Sequence, residues 1–180
     1  MSGTGSNAIS YLVSTLIDLY VAAVLLRLLL QWVRADFYNP LSQFLIRVTN
    51  PALVPLRRVI PSIGKLDTAS VVLMLVLEIL GVWLVGVIGS GVTGWQQVIA
   101  LSVIKLAMTL LMTYFFLIIV AVILSWLGQG LRHPFVPLVF QLTEPILRPI
   151  RKVIPPIAGI DLSPLFALIA IRFLILLLGW

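Results

Sequence analysis

The sequence has no cysteine, one histidine and only six acidic residues in 180. Without cysteine there is no disulfide, no thiolate metal site and no thiol nucleophile. A single histidine, His133, leaves no zinc motif of the His-Glu-x-x-His kind. No phosphate-binding P-loop occurs either. The expectation is therefore no catalytic residue, no cofactor and no metal, and a protein that is not an enzyme. Charge is scarce as well: 10% of residues are charged and 61% are hydrophobic, with a mean hydropathy of +1.18. A soluble domain of this size cannot hide so much apolar surface. Lipid removes that demand, so composition points to an integral membrane protein.

Four apolar stretches, 11–33, 69–88, 98–127 and 162–179, are long enough to span at ~20 residues each, which predicts an all-α membrane protein with four transmembrane helices. The third exceeds the need and should tilt, kink or project. Residues 1–10 form a polar Gly/Ser-rich tail without the basic segment of a secretory signal. The run behind them carries Asp18 and Arg27 and is read as a retained helix. Met1-Ser2 is no myristoylation start. Residues 89–97 are Gly-rich and predict a turn.

An internal repeat is the strongest signal. A shift of 94 residues lays 49–61 on 143–155, with Thr, three Pro, Leu, Arg, Val and Ile identical. The same shift pairs Tyr20 with Tyr114, Trp32 with Trp126, Pro40 with Pro134, Ile63 with Ile157 and Asp67 with Asp161. Similarity among apolar runs alone does not place Pro, Arg and Asp in register. The chain thus reads as repeat 1 (11–88, with linker 34–68), the turn, and repeat 2 (98–180, with linker 128–161). Each repeat is helix, Pro-rich linker, helix. Nine of the twelve Lys and Arg residues lie in the linkers. The positive-inside rule puts both linkers in the cytoplasm and both termini on the periplasmic side. Two spans per unit make the repeats parallel.

The linkers are too hydrophobic for loose loops. Asn39-Pro40 and His133-Pro134 look like helix starts, a polar cap followed by Pro. Thr49 and Thr143 repeat that signal ahead of Pro51 and Pro145, so two short helices per linker are expected. Pro61 and Pro155 should end them. Their Leu/Ile side would dip into the acyl boundary, and Arg47, Arg57, Arg58, Arg148, Arg151 and Lys152 would meet anionic headgroups or an acidic partner. Trp32 and Trp126 suit interface depth. Nucleic acid is not an expected partner, because the basic residues are few and the segments apolar. A membrane-protein partner and a homo-oligomer stay open.

Five charges fall within the spans: Asp18, Arg27, Glu78, Lys105 and Arg172. Each costs about 2.5–3.5 kcal/mol at mid-helix on insertion scales, so pairing or snorkelling is expected. The 94-residue shift sets Glu78 on Arg172, which predicts an ion pair across the repeats, with Arg27 in reach. Asp18 and Lys105 lie in the outer part. One reading is a structural tie between the halves. The other is a polar seam for an ion, and one Glu with two Arg would suit an anion. Ser62-Ile63-Gly64-Lys65 matches Ser-x-x-Lys without its companion motifs and is read as chance. His133 is read as a helix cap, and Asp67 and Asp161 as acids that complement helix dipoles.

At 49–61 and 143–155 the sequence resembles the YggT family, known as YlmG in some bacteria and plastids. The carrying motif is Asn39-Pro40, then Thr49, Pro51, Leu53, Pro55, Arg57-Arg58, Ile60-Pro61 and Asp67. It occurs twice, with His133 for Asn39 and Glu144 for Asn50 in the second copy. The resemblance implies a small bacterial inner-membrane protein linked to osmotic-stress tolerance. Plastid and cyanobacterial relatives are linked to nucleoid distribution and membrane cytochrome assembly, and Gram-positive relatives lie near cell-division genes. It brings no catalytic residue. The expected function is a membrane organiser or assembly factor for envelope homeostasis. The alternative is a small oligomeric channel or transporter for ions or osmolytes.

Overall fold

Leu, Ile, Val and Ala dominate the long runs, and proline is absent from their interiors. Such runs satisfy their own backbone polar groups in lipid only as helices. The computed structural model describes residues 2–64, 66–89, 94–127, 133–156 and 161–179, with side chains from residue 5 onward. Among these residues there are six helices and no strand. They are α1 (Ser2–Trp32), α2 (Pro40–Val59), α3 (Thr68–Gly89), α4 (Trp95–Leu127), α5 (Phe135–Val153) and α6 (Ser163–Leu177). Lys65, Arg132, Ile157 and residues 90–93 of the Gly-rich turn lie outside the described residues.

Helices α1, α3 and α4 are long and apolar enough to cross a membrane. The fourth expected span is shorter: α6 is apolar but has 15 residues, about 22 Å of helix. It stops where Gly179 takes a left-handed φ of +85°, a common helix ending. The polar segment read as a tail is helical, since α1 begins at Ser2.

Among the described residues each linker forms one helix rather than two. Thr49 and Thr143 are not caps. They sit mid-helix, buried, with their hydroxyls donating to Leu45 O at 2.6 Å and Val139 O at 2.9 Å. The prolines do not break the helices because Pro51, Pro55, Pro145 and Pro149 all lie on exposed faces. The carbonyls left without an N–H donor, four residues earlier, can there be hydrated. The starts fall where expected: Leu41 N donates to Asn39 Oδ1 at 3.0 Å, and Phe135 N to His133 Nδ1 at 3.3 Å. The ends precede Pro61 and Pro155.

The chain packs as two compact units. Unit 1 joins Met1–Leu28 to Leu45–Thr109, and unit 2 joins Leu29–Phe44 to Leu110–Trp180. Val21, Val24, Leu53 and Met74 are buried in unit 1, where α1 and α3 approach closely because Gly81 presents no Cβ to Ile17. In unit 2, α5 packs on α6 around Leu138, Val139, Ala167 and Ile171. Leu45, Thr49 and Leu53 of α2 are buried at a spacing of four, as are Val139, Thr143 and Leu147 of α5. Each position of the second set lies 94 residues after its counterpart.

Candidate functional site

Three charged side chains meet within unit 1. Lys105 Nζ of α4 lies 2.5 Å from Asp18 Oδ1 of α1 and 3.2 Å from Glu78 Oε2 of α3. The Glu78 side chain has 0% exposure. Ser14 Oγ donates to Asp18 Oδ2 at 3.1 Å, and Lys105 Nζ to Ser14 Oγ at 3.5 Å. Neither Glu78 oxygen takes an aligned hydrogen bond among the described residues. The Lys105–Glu78 attraction is therefore chiefly coulombic, and a medium of low dielectric strengthens it.

This corrects the expected partner of Glu78, which is Lys105 rather than Arg172. Arg172 is exposed on α6 and belongs to unit 2. Repeat equivalence compares depths, whereas α3 and α4 follow one another across a short connection. Glu78 lies 11 residues before the end of α3 and Lys105 lies 10 after the start of α4. That brings them level. The sign of the cluster also changes. Asp18 and Glu78 face one lysine, so two carboxylates share one cation, and the cluster suits a cation or a proton rather than an anion.

Arg27 joins a different set in unit 1. Its Nη1 donates to the Thr49 hydroxyl at 2.6 Å, and both residues are buried. A second tie lies nearby in sequence. Arg57, near the end of α2, bonds through Nε to Asp67 Oδ2 at 3.2 Å, and Ser70 Oγ donates to the same oxygen at 2.5 Å. Burial alone would push the Asp67 carboxyl up. The bonds from Arg57 and Ser70, with the Arg57 charge, outweigh it and hold the group below the usual carboxylate range.

Unit 2 carries the counterpart. Arg151 Nε donates to Asp161 Oδ2 at 2.9 Å, and Ser163 N donates to Asp161 Oδ1 at 2.9 Å. Arg151 Nη1 also lies 3.3 Å from Glu144 Oε2. Desolvation again opposes ionisation of Asp161, and the bonds from Ser163 and Arg151 overcome it, so this carboxyl too is depressed. Burial works against the Arg151 charge, but Asp161 and Glu144 hold its pKa above the ordinary arginine value. At the other end of the linker helices, Asn39 Nδ2 donates to Pro134 O at 2.6 Å, which joins the starts of α2 and α5.

The six basic residues expected at the headgroups thus divide. Arg57 and Arg151 tie their helices to Asp67 and Asp161. Arg47, Arg58, Arg148 and Lys152 are exposed. The Arg–Asp ties and the buried threonines are the features that sequence reasoning missed. The ties had a signal: an Arg ten residues before an Asp occurs twice, at one constant offset. Among the described residues no group of three or more His, Asp or Glu is placed to hold a metal ion.

Comparison with known proteins identifies the relatives. A family model described as CCB3/YggT matches residues 6–88 and again 100–180. An uncharacterized protein of Pseudomonas aeruginosa is 45% identical over 97% of this chain and 89% of its own length. The uncharacterized protein of the proC 3' region of Vibrio alginolyticus is 44% identical over 96% of this chain and 94% of its own. The uncharacterized protein YggT of Escherichia coli (strain K12) is 42% identical, over 88% of this chain and 82% of its own. No solved structure matches.

Proposed function

We propose that this chain, which belongs to the CCB3/YggT family, is a non-enzymatic inner-membrane protein that organises the membrane through its two linkers. The observation that carries this reading is the build of α2 and α5. Each buries a stripe of Leu and Thr, with Val139 added in α5, and exposes prolines and cations: Arg47 and Arg58 on one, Arg148 and Lys152 on the other. The apolar stripe packs on the protein itself rather than dipping into the acyl boundary as the sequence suggests, which leaves the exposed cations to meet anionic phosphate at headgroup depth. Support for envelope homeostasis and osmotic-stress tolerance follows from the family resemblance. A membrane-protein partner fits the same faces.

In this reading α1, α3, α4 and α6 cross the bilayer as two parallel repeats, 11–88 and 98–180. The termini are periplasmic and the linkers cytoplasmic. The matched segments 6–88 and 100–180, the paired Arg–Asp ties and the two buried threonines support the repeat. Trp95 and Trp126 are exposed at the two ends of α4. They stand about 46 Å apart along the helix, close to the thickness of a bilayer with its headgroups.

The test is lipid binding. The purified protein should bind vesicles or nanodiscs with phosphatidylglycerol in preference to neutral ones. The variant with Arg47, Arg58, Arg148 and Lys152 all changed to Gln should lose that preference. Equal binding by both proteins refutes the lipid-reading role of the linkers. A second reading, a small oligomeric channel or transporter for ions or osmolytes, is favoured by one observation: the Asp18–Lys105–Glu78 cluster inside the spanning helices. Its carboxylate excess points such a path toward cations.

A further inference from the structure

Unit 2 holds a cavity of about 640 Å³. Ala121, Thr143, Glu144, Arg151 and Asp161 line it, with leucines of α6 completing an apolar part. In the repeat reading proposed above, on which this inference rests, a 94-residue shift makes Ala121 the counterpart of Arg27 and Thr143 that of Thr49. In unit 1 the Arg27 guanidinium is buried and donates to the Thr49 hydroxyl at 2.6 Å. In unit 2 the same place holds a methyl group beside an equally buried threonine. Thr143 gives its hydrogen to Val139 O and Phe140 O, at 2.9 and 3.2 Å. Its oxygen keeps the capacity to accept, as Thr49 accepts from Arg27.

Charge changes in the same direction as shape. Unit 1 has Arg27 and Arg57 with Asp67, two cations to one carboxylate. Unit 2 has Arg151 with Asp161 and Glu144, one cation to two carboxylates, because Glu144 stands where the first copy has Asn50. The second site thus lacks the counterpart of the Arg27 guanidinium, has an added acid and has open volume. We infer that this cavity binds the primary ammonium head of a membrane lipid, of the phosphatidylethanolamine type, in the place that Arg27 fills in the other repeat. The ammonium group donates to Thr143 and Glu144. Its acyl chains lie along the apolar part. Arg148 and Lys152, exposed on α5, are available to the headgroup phosphate. Phosphatidylcholine meets neither need well, because its quaternary nitrogen has no N–H to donate.

The test is native mass spectrometry of the delipidated protein with equal amounts of phosphatidylethanolamine, phosphatidylcholine and phosphatidylglycerol. Phosphatidylethanolamine should be retained in preference to phosphatidylcholine by about tenfold, the worth of one charge-assisted hydrogen bond. Ala121→Arg should supply the missing guanidinium from the chain itself, abolish the preference and raise the melting temperature. Glu144→Gln and Thr143→Val should each reduce the preference, which keeps the test open if Ala121→Arg does not fold. Equal retention of the two zwitterionic lipids, or an unchanged preference in all three variants, overturns the inference. A lower melting temperature in a folded Ala121→Arg protein overturns the equivalence with Arg27, and with it the basis of the inference. The phosphatidylglycerol arm reports separately on the exposed linker cations, so a failure there is distinguishable from a failure here.

Discussion

Lys105 Nζ lies 3.2 Å from Glu78 Oε2 and 2.5 Å from Asp18 Oδ1, so one lysine holds two carboxylates from two other helices. Removing the lysine leaves a fully buried carboxylate beside another. Removing one acid leaves the lysine with a partner.

The first prediction follows from that asymmetry. Lys105→Met should destabilise the protein by about 3 kcal/mol or more, as orphaned buried charges do. Glu78→Gln should cost less. The double variant should recover most of the Lys105→Met loss, because the buried acid is then neutral. Thermal unfolding in detergent gives the cycle. Additive losses would show that Lys105 and Glu78 do not interact.

The tie between Arg27 and Thr49 gives a second prediction. Thr49→Val keeps the shape and removes the acceptor of a buried guanidinium N–H. The expected loss is about 2 kcal/mol, the range for hydrogen bonds to charged groups. Thr49→Ser should restore most of it. If Thr49→Ser is as unstable as Thr49→Val, the methyl packing and not the hydroxyl is what matters.

The Arg–Asp ties make stability depend on acid. Asp67 and Asp161 are held below the ordinary carboxylate value of 3.8. A depressed carboxyl stabilises the fold at pH values above its unfolded pKa. That contribution is lost as pH falls through the lower, folded pKa. Melting temperature should therefore drop on acidification below about pH 4. Asp67→Asn should start lower at pH 7 and fall less. Asp67 is the more buried of the two, so its replacement should flatten the curve more than Asp161→Asn. A parallel fall in wild type and Asp67→Asn would remove the tie from the account.

Much of the fold was legible. Proline-free apolar runs mark α1, α3 and α4, because in lipid such runs have one conformation available. The linker helices are legible as amphipathic, but Thr49 and Thr143 suggest a break that the structure does not have. A threonine before a proline reads as a cap in water-soluble proteins. Here the hydroxyl bonds back to the carbonyl four residues earlier, and the prolines sit on an exposed face where the lost donor is not missed. The site was half legible. Its charges stand out in the sequence, but repeat symmetry sets Glu78 against Arg172 rather than Lys105. Distances from the connection between α3 and α4 point to Lys105 instead. The cavity beside Thr143 had two traces in sequence, Ala121 and Glu144, which a 94-residue shift sets against Arg27 and Asn50.

Topology is testable in cells because the chain has no cysteine of its own. Asn7, Ser62 and Gln96 are exposed. Cysteine at Asn7 or Gln96 should react with a membrane-impermeant thiol reagent added outside. Cysteine at Ser62 should react only after the membrane is opened. Outside labelling of Ser62→Cys contradicts the cytoplasmic placement of the linker.

A membrane organiser of the kind proposed carries no flux of its own. The purified protein is reconstituted into sealed liposomes and assayed for movement of potassium, protons, anions and small osmolytes. Fluxes should equal those of protein-free liposomes, and the Lys105→Met and Glu78→Gln variants should not differ from wild type. A flux above background that either substitution abolishes would contradict the account and establish the Asp18–Lys105–Glu78 cluster as part of a conducting path.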